Sequence, residues 1–364
     1  MKATAAVLRA PGSDFALEEV ELDSPRAGEV LVRIEAAGVC HTDIGVQHVM
    51  PMPIVLGHEG AGVVEAVGPG VTKVAPGDRV VLTFGSCGRC PRCAEGVPSH
   101  CHNMRTLQFS GAREDGSPTL RQGEDVIHGA FFQQSSFATY ALATERNTIP
   151  VTDQTVPLEL LGPLGCGIQT GAGAVLNSLN ARAGKTIAVM GAGSVGLSGI
   201  MAARLAGCST IVAVDINESR LELARELGAT HTVDARNGDV ARQIRDATGH
   251  GVDYSLETAG TVQSFTDAID GLTVGGTCAI VTTPNHGAPF EFSARSLLTG
   301  GRSVMGVLEG SSNPDLFIPQ LIRFYAQGVF PFDRLVRYYP FDRINEAVAD
   351  SLAGRAVKPI LRMT

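Results

Sequence analysis

The sequence predicts an α/β protein built in two parts, an irregular β-barrel followed by a doubly wound parallel sheet. Three observations carry that expectation. From Gly28 to Val81 short Val-rich runs are separated by Gly and Pro punctuation. Past Gly184 strand-like and helix-like stretches alternate, as in a parallel sheet covered by helices on both faces. Finally, 364 residues with 44% hydrophobic content and 43 glycines suit two buried cores better than one.

In the first part the strands are expected in "EVLVRIEAAGV", "GAGVVEAVG" and "GDRVVLT". In the second, strand "TIAVMG" leads to a helix from Ser194, strand "TIVAVD" to helix "ESRLELARELG", and strand "HTVD" to helix "VARQIRDATG". Strands "VDYSLET" and "GTCAIVTT" follow, then one from Ser303 to Leu308, the helical stretch "DLFIPQLIRFYAQG" and a last strand in "VKPILRM". The tail is expected to return to the first part and make it discontinuous. No internal repeat or low-complexity segment is visible.

A formal net charge of -8 without any basic run argues against a nucleic-acid partner, which needs clustered Lys and Arg. The opening "MKATAAVLRAPGSDF" places Arg9 and Pro11-Gly12 where a secretory peptide needs an apolar core, so the expected location is the cytoplasm. The uncharged run Thr186 to Ala203 approaches bilayer-spanning length, but four glycines fracture it, so no membrane partner is expected either.

Thiols stay reduced in the cytoplasm, where close cysteine spacing reads as metal binding before disulfides. Cys87, Cys90, Cys93 and Cys101 follow C-x2-C-x2-C-x7-C, which can wrap four thiolates around one zinc and leave no open position. Such a closed site is structural. An iron–sulfur cluster or four unrelated thiols are the alternatives.

"VMGAGSVG" gives Gly191, Gly193 and Gly196 the G-x-G-x-x-G spacing between a strand and a helix, where bare backbone lets a pyrophosphate approach the helix N-terminus. The next strand ends in Asp215, where a carboxylate can bind ribose hydroxyls and repel the extra phosphate of NADP, so NAD is the expected cofactor. Arg220 leaves the NADP alternative open. A glycine turn that merely packs helix on strand, with Asp215 capping the next helix, is the bland reading. For a catalytic zinc, which needs three protein ligands, the candidates are Cys40 in "GVCHTD", His58 in "LGHEG" and Cys166 in "GPLGCGIQTG". Spacing alone does not pick them, and on composition alone each reads more readily as a buried core cysteine or a loop histidine.

Taken in order, "GVCHTD", "GHEGAGVVEAVG", the four-cysteine lobe, "LGPLGCGIQTG" and "VMGAGSVGL" resemble the zinc-dependent medium-chain alcohol dehydrogenases over essentially the whole chain. "QSSFATYALATERN" and "LELLGPLGCGIQTGAG" resemble more narrowly the aryl-alcohol (benzyl alcohol) dehydrogenase branch, close to enzymes of allylic terpenoid alcohols such as geraniol. The resemblance implies a GroES-like barrel over residues 1–168 and 308–364, with a structural zinc lobe at 87–101, and a Rossmann domain over 169–307. It implies two zinc ions per chain, NAD and a homo-oligomer, dimer or tetramer.

Carried over residue by residue, the resemblance makes Cys40, His58 and Cys166 the catalytic-zinc ligands, with Glu59 beside the site and Asp43 orienting His58. Thr42 takes the place of the hydroxyl that touches the substrate oxygen. Lys358 falls near the pyrophosphate, and Thr170 and Val195 beside the nicotinamide. Two positions depart from the family pattern. His41 stands where many members have an arginine facing the pyrophosphate. Gly45 stands where the proton-relay histidine would be, which leaves the proton's route open.

The implied reaction is reversible oxidation of primary aromatic alcohols to aldehydes. Zinc lowers the pKa of the bound alcohol, Thr42 takes its proton and the carbon passes hydride to the nicotinamide. Terpenoid alcohols are the alternative substrates. Glutathione-dependent formaldehyde oxidation would need basic residues for the tripeptide's carboxylates, and none can be placed. A nucleotide-binding protein that lost its chemistry is the remaining reading, with the three ligands and Thr42 against it. Phe84, Met50 and Met52, near the ligands in sequence, read equally as pocket walls and as core residues.

Overall fold

β-Branched side chains pack well on a pleated surface, and the Val-rich runs are strands in the computed structural model, which describes residues 1–284 and 289–363. In chain order these are β1 (Lys2–Leu8), β2 (Ala16–Leu22), β3 (Glu29–Gly38), β4 (Ile54–Val55), β5 (Gly60–Val67), β6 (Arg79–Leu82), β7 (Leu120–Gln122), β8 (Asp125–Ile127), β9 (Tyr140–Thr144) and β10 (Thr148–Pro150). There follow β11 (Thr186–Met190), β12 (Thr210–Asp215), β13 (His231–Asp234), β14 (Val252–Glu257), β15 (Leu272–Ile280), β16 (Ser303–Gly306), β17 (Val336–Pro340) and β18 (Lys358–Arg362).

The chain forms two units, one of Met1–Gly167, Asn313–Ala326 and Phe332 onward, the other of Ile168–Ser312 with Gln327–Pro331. In the first, a five-stranded sheet runs β4-β1-β2-β7-β8, and a seven-stranded sheet runs β10-β6-β5-β3-β18-β17 with β9 also on β3. Val7, Leu8, Val32, Ile54, Leu82 and Leu361 of both sheets share one core with Phe137. A fully buried ring such as Phe137 contributes about 1.5–3 kcal/mol. Pairing β3 antiparallel to β5, with Ala37 opposite Gly60, brings the end of one strand beside the start of the other. That juxtaposition places Cys40, two residues beyond β3, near His58, two residues before β5.

The second unit is a parallel six-stranded sheet of order β13-β12-β11-β14-β15-β16. Chain order reverses between β11 and β14, the kind of switch point where α/β sheets take ligands at their strands' C-terminal ends. The helix Glu218–Leu227 starts where the Asn217 side chain accepts the Ser219 N–H, and ends at Gly228, whose positive φ stops it. One helix departs from the sequence expectation. Val262–Asp270 lies between β14 and β15, where strand was expected to follow strand, and buries Phe265, Ala268 and Ile269 at helical spacing. β15 also starts earlier than expected, at Leu272. No helix among the described residues is long and apolar enough to cross a membrane, and the run from Thr186 divides into β11 and the helix Ser194–Leu205.

Candidate active site

Cys40, His58, Glu59 and Cys166 converge, one potential ligand atom of each lying within 4.8 Å of the others. Cys166 reaches the cluster through a short helical turn, Gly162–Gly165, that lies directly on the chain around β5 and β6. A Cβ on Gly162 would meet the Glu59 carbonyl at 2.2 Å and one on Gly165 the Leu82 carbonyl at 2.1 Å, so only glycine permits the approach. Thr83 fastens this turn by donating Oγ1–H to the Gly165 carbonyl at 2.7 Å.

Asp43 is buried and organises the ligands. Its carboxylate accepts the Cys40 N–H at 3.0 Å, the Gly57 N–H at 3.0 Å and His58 Nδ1–H at 2.9 Å. With Nδ1 engaged, His58 Nε2 is left fully buried without a hydrogen-bond partner. An orphaned buried nitrogen is costly unless something binds it. Burial pulls the imidazole pKa down, but the Asp43 carboxylate and the Cys40 thiolate outweigh it and raise it well above the usual range. The Cys166 hydrogen bond and the neighbouring positive charges hold the Cys40 thiol well below its usual range against burial. A Cys40 thiol biased toward thiolate, the Cys166 thiol beside it and an imidazole nitrogen without a hydrogen-bond partner form a donor set that fits zinc.

Lys358 is 1% exposed inside the first unit, with Nζ 2.9 Å from each Glu59 carboxylate oxygen and donating to the Val39 carbonyl at 3.2 Å. The parallel pairing of β18 with β17 and its antiparallel pairing with β3 direct it there. Burial opposes its charge, but the Glu59 carboxylate outweighs this and raises its pKa. Glu59 is lifted to about 7 by burial, with Lys358 pulling the other way.

Thr42 Oγ1 lies 3.7 Å from Cys40 Sγ, at the cluster's edge. His41, Gly45 and His48 are all exposed. Phe84 and Met50 are core residues, and Met52 packs against the same core, which also takes in Phe131 and Phe132. Rings of that core lie against the candidate ligand His58. Phe132 stacks on His58 with ring centroids 4.4 Å apart, Phe131 meets it edge-on at 5.4 Å, and Phe109 packs on both. The run "AFFQQSS" gave no sequence signal beyond its paired phenylalanines.

Cys87, Cys90, Cys93 and Cys101 form the second cluster, their sulfurs likewise within 4.8 Å of one another. The N–H groups of His102 and Cys93 lower the Cys90 thiol to about 6, while burial pushes Cys93 to about 12. Four sulfurs, grouped with no other His, Cys, Asp or Glu ligand atom among the described residues, fit a closed tetrahedral metal.

In the second unit the three glycines of the turn have separate reasons. Gly191 takes φ 90, and a Cβ on Gly196 would strike the Gly191 carbonyl at 1.8 Å. A Cβ on Gly193 would meet nothing within 4 Å, open space of the kind a pyrophosphate needs at the start of the helix Ser194–Leu205. Asp215 accepts the Ala192 N–H at 2.6 Å and the Asn217 N–H at 2.8 Å, so it ties the turn to the end of β12. Arg220 is buried near it, its pKa lowered by burial. Thr170 contacts Glu309 at 3.4 Å, and Val195 lies in the first turn of the helix after the glycines.

Residues 26–153 match the family of alcohol dehydrogenase GroES-like domains, and residues 194–327 the zinc-binding dehydrogenases. Geraniol dehydrogenase of Castellaniella defragrans is 46% identical over 365 residues, 99% of this chain and 98% of that protein. Benzyl alcohol dehydrogenase of Acinetobacter calcoaceticus superposes with a TM-score of 0.97 at 46% identity, covering 100% of both chains. An alcohol dehydrogenase zinc-binding domain protein of Burkholderia ambifaria superposes at 0.98 with 53% identity, over 100% of this chain and 99% of that one.

Proposed function

Because the chain belongs to the zinc-dependent medium-chain alcohol dehydrogenases and so works with zinc and NAD, we propose that it oxidises primary benzylic alcohols to aldehydes, reversibly. The observation that supports the aromatic preference is the likeness to the benzyl alcohol dehydrogenase of Acinetobacter calcoaceticus, 46% identical over the whole of both chains.

In this reading Cys40, His58 and Cys166 hold the catalytic zinc, and Cys87, Cys90, Cys93 and Cys101 the structural one. When bound, zinc supplies Lewis acidity that lowers an alcohol's pKa, and NAD supplies the hydride acceptor. The protein's own residues do the rest. Asp43 fixes the tautomer and tilt of His58. Thr42 takes the alcohol proton at Oγ1 and passes it to water, to the cofactor ribose, or toward His41 or His48. Gly191, Gly193, Gly196 and Asp215 receive the dinucleotide, with Thr170 and Val195 toward its nicotinamide.

None of the eight cysteines is paired in a disulfide, which leaves them available to metal and agrees with the cytoplasmic location of this reading. Homo-oligomer formation belongs to the same reading. β16 ends its sheet with an unpaired edge among the described residues, and Val274 in β15 and Leu298 in the helix Ala294–Gly300 are 77% and 83% exposed.

An aryl ring that buries roughly 100 Å² at about 25 cal/mol/Å² adds about 2.5 kcal/mol. Realised in the transition state, that raises kcat/KM by roughly two orders of magnitude over a short aliphatic alcohol. Initial rates with NAD on benzyl alcohol, cinnamyl alcohol, geraniol and ethanol test this. Ethanol equal to benzyl alcohol would refute the aromatic assignment. The equal identity to a geraniol dehydrogenase favours a second reading, allylic terpenoid alcohols, which a higher kcat/KM for geraniol than for benzyl alcohol would select.

A further inference from the structure

His58 lies just ahead of β5, where β3 holds only one edge of the chain: Gly38 donates its N–H to the Glu59 carbonyl at 2.9 Å. Backbone groups alternate in direction along an extended chain, so the His58 carbonyl and the Gly60 N–H face the other edge. A side chain meets them there. Gln134, 1% exposed, donates Nε2–H to the His58 carbonyl at 2.9 Å and to the Thr83 carbonyl at 3.1 Å, and its Oε1 accepts the Gly60 N–H at 3.2 Å. One carboxamide thus does what a neighbouring strand residue does, and extends the ladder by a rung to the ligand.

Gln134 comes from a turn in which Ala130, Phe132, Gln133 and Ser135 all have φ between 52 and 56. A phenylalanine in the left-handed region is costly and persists only where its surroundings over-determine it. Here they do. Ser135 Oγ accepts the Phe131 N–H at 3.0 Å and donates to the Val55 carbonyl at 2.7 Å. Asn147, fully buried, donates Nδ2–H to the carbonyls of Phe132, Gln133 and Thr83 at 3.2, 3.1 and 3.1 Å. The outcome of this turn is the Phe132 ring lying 27° from parallel on the His58 imidazole. Asp43 therefore holds the imidazole at one ring edge, Phe132 holds one face, and Gln134 holds the main chain beneath it.

We infer that Gln134 is a positioning residue for the metal-binding imidazole: its buried carboxamide ties the His58–Gly60 backbone to the left-handed turn that carries Phe132. The inference rests on the reading of His58 as a zinc ligand and deepens it. Groups that orient a ligand without touching the metal typically change metal affinity by about 10–100-fold.

The test uses the zinc-loaded enzyme and Gln134→Met, which keeps the length of the side chain and removes its three hydrogen bonds. Zinc release to a chelating dye is followed over time, and the cobalt-substituted protein by its visible absorption. Release from the His58 site should accelerate by roughly tenfold or more and the cobalt bands should shift, while release from the four-cysteine lobe stays at the wild-type rate. Wild-type release and unshifted bands in folded Gln134→Met would overturn the inference and leave Gln134 as packing. Should that variant fail to fold, Phe132→Leu decides, because it keeps the turn's hydrogen bonds and loses only the stacked ring: shifted bands support the inference and unshifted bands overturn it. His58→Ala tests the underlying reading separately. Loss of one metal supports it, and retention of both defeats it and the inference together.

Discussion

Replacing Lys358 by methionine removes the countercharge of a carboxylate that water does not reach. Nζ makes two 2.9 Å contacts to Glu59 and one of 3.2 Å to the Val39 carbonyl, and both side chains are buried. Breaking a buried pair from one side costs about 3–5 kcal/mol, and the orphaned carbonyl adds about 1 kcal/mol. Methionine fills the space of the alkyl stem, so a cavity adds little. At about 2–4 °C per kcal/mol for a domain of this size, the sum corresponds to roughly 10–20 °C in melting temperature.

The sign of the pH dependence follows from Glu59, whose pKa burial has lifted to about 7. Its proton is held more tightly folded than unfolded, so stability falls as pH rises from about 4.5 through 7. Losing Lys358 moves the upper end of that window higher. Calorimetry of the zinc-loaded variant should therefore show a deficit that is larger near about pH 8 than near about pH 5, and Glu59→Gln added to Lys358→Met should recover part of it. A deficit below about 3 °C that does not change with pH would refute a charged pair at this position.

Further outcomes separate the two metals and the cofactor contacts. Cys166→Ala should lose one zinc and turnover with the fold intact, whereas Cys93→Ala should lose the other and mainly stability; iron with acid-labile sulfide in the purified protein would sink the assignment. Asp215→Ser should relax the preference for NAD over NADP, and it should also raise the KM for NAD, because the Ala192 N–H loses its 2.6 Å acceptor. Faster turnover of the unmodified enzyme at low NADP than at low NAD would contradict that role. Burial raises the pKa of Glu257 against the hydrogen bonds from Ser264, Gly260 and Ala259, so its charge weakens the fold as pH rises. The melting temperature of Glu257→Gln should gain on the wild type from acid toward neutral pH, and a constant gap would count against the shift. Unchanged pH dependence of hydride transfer in both His41→Gln and His48→Gln would leave water as the proton route.

The second unit was the more legible part of the sequence, because each strand and helix there is local and carries its own period. The helix at Val262–Asp270 escaped only because its apolar positions are few among Ser, Thr and Asp, although Val262, Phe265, Ala268 and Ile269 are spaced for one face. Gly275, at φ 77, disguised the start of β15 as a turn. The metal cluster was not legible from spacing at all. Cys40, His58 and Cys166 meet through the β3–β5 register and two glycine contacts, which are properties of pairing rather than of any short motif. Resemblance proposed the set, but it gave no sign of the Lys358–Glu59 pair, which is fixed by the strand on which Lys358 lies. Gln134 gave no signal because its role depends on a left-handed turn built without glycine.

The discontinuity of the first unit also governs how the protein is made. β18 pairs with Ala36, Ala37 and Gly38, the end of β3 that leads to Cys40, and Pro359 accepts the Val39 N–H. On the ribosome, that end of β3 waits with an open edge while the whole second unit is synthesised, roughly 10–40 s at about 5–20 residues per second. Through that interval Glu59 has no cation to face, since Lys358 has not yet been made. The nascent barrel is thus an unsealed, strand-edged intermediate of the kind chaperones shield, and it is completed only by a contact of very long sequence separation. On the proposed reading of Cys40 and His58, metal uptake would therefore wait for the arrival of the last strand, and not merely for the folding of the segment that bears the two side chains.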